Sequence, residues 1–247
     1  MTINLTIPEQ WNDLNARQLK KIAGYFHSGI SGVLMDCLVF VALLDVRWWE
    51  LWKKYKALKT INHVGLSELK KHYSWLQNTL SLTTFIPAIK AKGKIFLAPA
   101  ARITNLTVEE FAVAEDLFFG WFNSKDIEYL YYLAAVLYRE PDKDGKRMPF
   151  DKTELDARAN ALRKTDRCTL LAILLSYQGC RAYLTAQFPL VFPKPKGNVK
   201  LPKSSGFGKL VLHASGGKFG THNETKNTNV YTFLGEFEEQ LKRKPYA

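Results

Sequence analysis

The chain has 247 residues, 47% hydrophobic and 23% charged, with 15 Gly and 10 Pro, which is enough apolar material for a full core and too much for a mostly disordered polymer. Lys and Arg outnumber Asp and Glu 35 to 23, a formal net charge of +12, so a polyanion or an acidic protein suits it as a partner. Cys37, Cys168 and Cys180 form no C-x-x-C pair and no disulfide framework, which points to a thiol-keeping compartment, the cytoplasm.

In chain order, Met1 to Pro8 lacks a basic segment followed by an apolar one, so no secretory leader is expected. Ile3, Leu5 and Ile7 alternate with Thr2, Asn4 and Thr6, the period of a short strand that Pro8 ends. Asn15 with Gln18 spells a capping box, Leu14 and Leu19 a staple across it, and Leu19, Ile22, Ala23 and Phe26 the inner face of the helix that follows. Gly29 to Val46 approaches the length of a membrane span, but Asp36 near its middle argues for a buried helix, with Val33, Leu34, Cys37, Leu38, Val41 and Leu44 turned inward.

Residues 47–80 interleave aromatics and lysines: Trp48, Trp49, Trp52 and Tyr55 with Lys53, Lys54, Lys56 and Lys59. Such a mixture reads as a stacking platform for single-stranded nucleic acid or as a core-facing stripe, since Trp48, Trp52 and Tyr55 stand at i, i+4, i+7. The spacing favours the core, with the lysines on the solvated side. Between Thr83 and Leu106 the pattern is irregular, and the apolar run Ile95 to Ala98 is expected to pair with the N-terminal strand.

The second half reads as helices. Thr107 with Glu110 caps one through Phe111, Ala114, Phe118 and Phe122; Ser124 with Asp126 opens another that Pro141 closes; Asp151 or Thr153 and Thr165 or Asp166 start two more. Pro193 to Lys218 carries six lysines and no acid, broken by Pro195, Pro202, Gly206 and Gly208, and reads as an extended connector, with Gly206 to His213 expected as a brief strand or helix. Asn227 to Arg243 reads as a final amphipathic helix through Val230, Phe233, Leu234, Phe237 and Leu241, which docks by default on its own chain and otherwise on a neighbour's. The expected fold is mainly α, a helical bundle or orthogonal array with a minor β element near the N-terminus. Its divisions are 1–102, a helical subdomain with short strands; 103–192, a helical core; 193–226, the connector; and 227–247, the last helix.

Chemical signatures fail on inspection. Glu140, Asp142, Asp144 and Gly145 outline a calcium loop, but Pro141 and Pro149 stiffen it, Lys143, Lys146 and Arg147 repel a cation, and Asp151 stands where a bidentate Glu is wanted. The Gly216-Gly-Lys218 turn is followed by Phe219 where a phosphate loop needs Ser or Thr, and Gly206-Phe-Gly208 has no third glycine. His27, His63, His72, His213 and His222 form no H-x-x-x-H pair. No catalytic residue, metal site or cofactor is expected, and the chain is read as a non-enzyme.

Three stretches taken together carry a resemblance: Ile7-Pro-Glu-Gln-Trp-Asn-Asp-Leu14 with Gln18-Leu19; Leu106-Thr-Val-Glu-Glu-Phe111 running to the Tyr131–Arg139 helix; and Cys180 through Phe188-Pro-Leu-Val-Phe192. This arrangement resembles proteins of tailed bacteriophages and prophages of Bacteroidetes-type bacteria, some of which look like tail-assembly or other virion morphogenesis components. The resemblance implies a structural or assembly protein that binds other phage proteins, or its own copies, in the host cytoplasm or the virion, with no membrane role. On that reading the tethered last helix docks through Val230, Phe233, Leu234, Phe237 and Leu241. The rival reading is a nucleic-acid-binding accessory protein using Lys53, Lys54, Lys56, Lys194, Lys196, Lys200, Lys203 and Lys209.

Overall fold

The structure is a computed structural model and describes residues 7–47, 49–193, 206–216 and 219–243. Among them are eleven α-helices and a single two-stranded sheet, a mainly α fold. Its centre is α8 (Arg167–Gln187), buried without interruption from Thr169 to Tyr177 and again at Gly179, Cys180 and Leu184. A helix apolar on every side must be enclosed by others. α1 (Ala16–Phe26) and α6 (Glu128–Leu137) lie against it, α6 packs on α5 (Val108–Ser124) and α7 (Leu155–Leu162), and the 3-10 turns Thr79–Ser81 and Ala101–Ile103 cross it.

The caps written in the sequence set these starts. Asn15 accepts the backbone N–H of Arg17 and Gln18 while Gln18 accepts that of Asn15, and Thr107 and Glu110 make the same reciprocal pair at α5. Asp166 opens α8, accepting the Thr169 N–H at 2.9 Å and its hydroxyl at 2.5 Å. Each such cap is worth about 1 kcal/mol. The face expected for α1 is the inner one: Leu19, Ile22 and Ala23 are buried and Phe26 packs at their edge.

Three expectations change. In α2 (Gly32–Leu43) the buried side chains are Val39, Phe40, Ala42 and Leu43, whereas Val33 and Leu34 are 69% and 59% exposed. A uniformly apolar helix has no periodic signal to orient it, and polar Asp36 decides instead. Its carboxylate pairs with Lys70 at 3.1 Å on α4 (Leu66–Lys71), which brings Phe40, one turn on, against Tyr73. The strand holding Ile95 is β2 (Lys94–Leu97), and its partner is β1 (Ala88–Ala91), antiparallel with Ala91 opposite Lys94. Lys92 and Gly93, both at positive φ, form the two-residue turn between them; of the N-terminal strand expected from residues 2–7, only Ile7 is among the described residues, and it lies in no strand.

The third change concerns the stretch 193–226: Gly206 to His213 takes the helical of its two expected forms, and a second helix that the connector reading did not include follows it. α9 (Phe207–Ala214) and α10 (His222–Asn227) occupy much of its described part, with Gly206 and Gly220 at positive φ just outside them. α9 and α10 pack on α5 and on each other, and α11 (Val230–Arg243) also rests on α5. The backbone before α11 pairs with that before α5: Val108 N–H donates to Thr228 O at 2.9 Å and Val230 N–H to Leu106 O at 3.0 Å. The Tyr231 hydroxyl adds a bond to Arg102 O at 2.7 Å.

Candidate functional site: an exposed aromatic and basic helix

The side of α11 expected to grip a partner is spent on the chain's own body. Val230, Phe233 and Leu234 are fully buried; Phe233 meets Phe219 with ring centres 4.8 Å apart and stacks with Phe237 at 6.1 Å, and Phe237 and Leu241 are half-buried. An apolar side chain already out of water in its own core has no further transfer energy to offer a partner. Val230, Phe233 and Leu234 are therefore spent in the chain's own core, while Phe237 and Leu241 keep part of their surface.

The reverse holds for α3 (Leu51–Val64). Its only fully buried residue is Ala57, with Ile61 partly covered; Leu51, Trp52, Tyr55 and Leu58 are 71%, 64%, 57% and 58% exposed. The core-facing stripe read at Trp52 and Tyr55 is thus a surface stripe, while Trp48 lies outside the described residues. The reason is size. On α3 the covered side carries the small Ala57, and the bulky Leu51, Trp52, Tyr55 and Leu58 are turned out. Lys53 and Lys59 are exposed on the same helix, and Lys54 and Lys56 are half-buried.

The segment leading into α3 is pinned at its base. Arg17 Nε reaches Asp45 Oδ1 at 2.5 Å, Asn15 Nδ2 reaches Asp45 Oδ2 at 3.0 Å, and Gln18 Nε2 reaches Leu43 O at 2.6 Å. The capping box of α1 thus also holds the end of α2, and the chain leaves from that point toward α3. Glu50 then accepts the Arg47 N–H at 2.7 Å and Lys53 Nζ at 2.5 Å. The Lys53 hydrogen bond, with the Arg47 N–H behind it, holds the Glu50 carboxyl below the ordinary carboxylate value. Gly65, at φ 79°, ends α3 and starts α4, a backbone state few residues other than glycine take readily.

On the outer side Trp52 and Tyr55 stack with ring centres 5.9 Å apart and planes 21° from parallel, and Lys56 Nζ lies 5.6 Å from the Trp52 ring. Trp49, 55% exposed, carries the Arg47 guanidinium 5.3 Å from its ring. Trp52, Tyr55, Lys56, Lys59, His63 and Val64 border a shallow depression of about 500 Å³. From Arg47 to Val64 the one acid is Glu50, already paired with Lys53. The face is therefore apolar, aromatic and positively charged.

The remaining candidates are scattered. Lys209 is exposed on α9, which packs on α5 and α10, whereas α3 packs on α2 and α4; Lys194, Lys196, Lys200 and Lys203 lie outside the described residues. Burial pushes the Cys180 thiol up to about 12, and its sulfur donates to Thr83 O at 3.3 Å, so it is a core residue. Glu115 is enclosed with Tyr177 (2.9 Å) and Arg181 (2.7 and 2.9 Å), a buried network fully used in holding α5 to α8. No helix among the described residues is long and apolar enough to cross a membrane. No protein-family model, curated protein or solved structure matches the chain.

Proposed function

We propose that the chain is a non-catalytic binding protein of particle assembly, a helical body that presents α3 to a protein partner. The observation that carries this reading is the exposure of Leu51, Trp52, Tyr55 and Leu58 along one helix whose covered side holds little more than Ala57. Each of these side chains gains about 1.5–3 kcal/mol on leaving water. Monomeric surfaces rarely group such residues without a partner to receive them. Trp and Tyr are among the usual anchors of protein interfaces. Lys53, Lys56 and Lys59 favour a partner surface that is apolar at its centre and acidic at its rim. The resemblance to phage assembly proteins supports the same reading, and the proposed place of work is the host cytoplasm or the virion.

The test compares the tagged wild-type chain with a Trp52→Ser/Leu58→Ser variant in cells that produce the particle, with bound proteins quantified by mass spectrometry. The reading expects defined particle proteins to be lost from the folded variant. An unchanged set of bound proteins sinks it.

A second reading rests on the stacked pair Trp52 and Tyr55 with Lys56 beside it, a geometry that accepts bases of single-stranded nucleic acid. Titration of a labelled oligothymidine measures it. Nucleic-acid binding requires log affinity to fall steeply with log salt; a flat or absent response removes this reading.

A further inference from the structure

The exposed side chains of α3 are ordered along its axis. Leu51, Tyr55, Leu58 and Asn62 follow one another at steps of four, three and four residues, the spacing that sets side chains in one row along a helix. All four are exposed. The buried Ala57 and the partly covered Ile61 are turned instead to the body, where α3 packs on α2 and α4.

The two edges of the row differ. Lys54 and Ile61 form one, and both are half-buried. Trp52, Lys56 and Lys59 form the other: Trp52 stacks on Tyr55, Lys56 Nζ lies 5.6 Å from the Trp52 ring, and the four side chains border the same depression. Neither Lys56 nor Lys59 meets a carboxylate among the described residues. The open edge is therefore aromatic and positively charged, with its charge unbalanced.

What complements such a row follows from its period. Knobs along a helical seam recur about every 5.2 Å, a repeat that a second helix shares, whereas side chains on one face of a strand stand about 6.8 Å apart. From Leu51 to Asn62 the row runs about 17 Å, or roughly three turns. Bases of nucleic acid stack on rings, and the leucines at two of the four positions offer none. A polar side chain in an otherwise apolar row selects one register of its partner, and Asn62 holds that place.

We propose that α3 receives one amphipathic helix of another protein, laid along Leu51, Tyr55 and Leu58 with an acidic edge against Lys56 and Lys59. This rests on α3 being the protein-binding face and adds the form and the charge of what it binds. A second copy of this chain is the wrong occupant, because its α3 sets the same lysines against these and the whole chain carries +12.

The test uses the full chain and a fluorescein-labelled peptide of three heptads, with Leu at both core positions and Glu at the flanking ones. Its own carboxylates keep the peptide from pairing with itself at pH 7. Two controls accompany it: the same composition scrambled to abolish the apolar stripe, and the stripe with Lys in place of Glu. Anisotropy titrations at constant salt are expected to show saturable binding of the acidic stripe peptide, at least about tenfold tighter than either control. Leu58→Ser is expected to weaken that binding by about tenfold. Lys56→Glu/Lys59→Glu is expected to cut the preference for the acidic over the lysine-edged peptide by at least about tenfold.

No binding of the stripe peptide overturns the proposal, and equal binding of the scrambled one reduces the contact to charge and overturns it too. So does binding that Leu58→Ser leaves unchanged, or a preference that the charge-swapped variant retains. Such a failure, with particle proteins still lost from the Trp52→Ser/Leu58→Ser variant, removes the helix and leaves the binding face. An unchanged set of bound proteins removes the face itself.

Discussion

Gly179 of α8 lies so close to Leu82 that a Cβ added to it would stand 1.9 Å from the Leu82 carbonyl oxygen. One residue later, Cys180 donates to Thr83 O, so the segment joining the α4 region to β1 is seated directly on the central helix. Gly179→Ala must push that backbone away, and overpacking of this kind costs about 1–3 kcal/mol or more. Gly208→Ala in α9 meets nothing within 4 Å and has no positive φ, so its expected effect is neutral to about 1 kcal/mol stabilising. Urea titration of both variants checks the contrast.

Asp166 ties α8 to acid stability. Burial alone would raise its carboxyl, but the hydroxyl and N–H of Thr169 more than offset this, with Lys20 assisting, and the group is held below its ordinary value of 3.8. A carboxyl depressed in the folded state adds stability that is present above the unfolded value and is lost as pH falls through the folded one. Asp166→Ala is expected to cost about 1 kcal/mol at pH 7. Asp166→Asn keeps a capping oxygen without the titration, so the gap between wild type and this variant is expected to shift against the wild type as pH drops below about 4. Unfolding measured from pH 7 to pH 2.5 reads the difference.

Two aromatics exchange the roles their sequence positions suggest. Phe233, expected to face a partner, is 0% exposed, and Trp52, expected to face the core, is 64% exposed. Phe233→Ala is predicted to destabilise by about 3–5 kcal/mol, and Trp52→Ser by no more than about 0.5 kcal/mol. Comparable losses from both, measured by thermal and urea unfolding, would contradict the assignment of the two faces.

Glu110 bears on three elements at once. It caps α5 and balances guanidinium groups that follow α6 and the 141–147 loop. Replacing it by Gln leaves two arginines buried against a neutral side chain, and breaking a buried ion pair from one side costs about 3–5 kcal/mol. A larger loss is therefore expected for Glu110→Gln than for Glu109→Gln, whose partner Lys226 is nearly one third exposed. Calorimetry of the two variants decides the order.

What was legible in the sequence follows the range of the forces involved. The capping boxes at Asn15 and Thr107 act over three residues and are found where the residue pattern puts them, and of the two starts the pattern left open for α8, Thr165 and Asp166, the cap is Asp166. The same logic passed over Thr221 with Glu224, a third reciprocal box, because the surrounding glycines suggested a connector. The orientation of α2 and α3 depends on what each helix meets. Neither Lys70 opposite Asp36 nor Ala57 as the point of close approach is visible from local periodicity. The same holds for Glu110, Arg139 and Arg147, which are brought together only by the packing of α5 on α6 and the return of the loop. A usable signal existed on α3: Lys56 and Lys59 share the side of Trp52 and Tyr55, so aromatic and basic residues are not segregated as a buried face requires.

The central claim is that α3 is the working surface, and a photo-reactive benzoylphenylalanine in place of Leu58 tests it most directly. With the full chain expressed in particle-producing cells and the same substitution at Asp144 as an exposed control, irradiation at position 58 is predicted to give a defined protein adduct that the control does not. Nuclease-sensitive adducts at position 58, or identical products at both positions, would contradict the account.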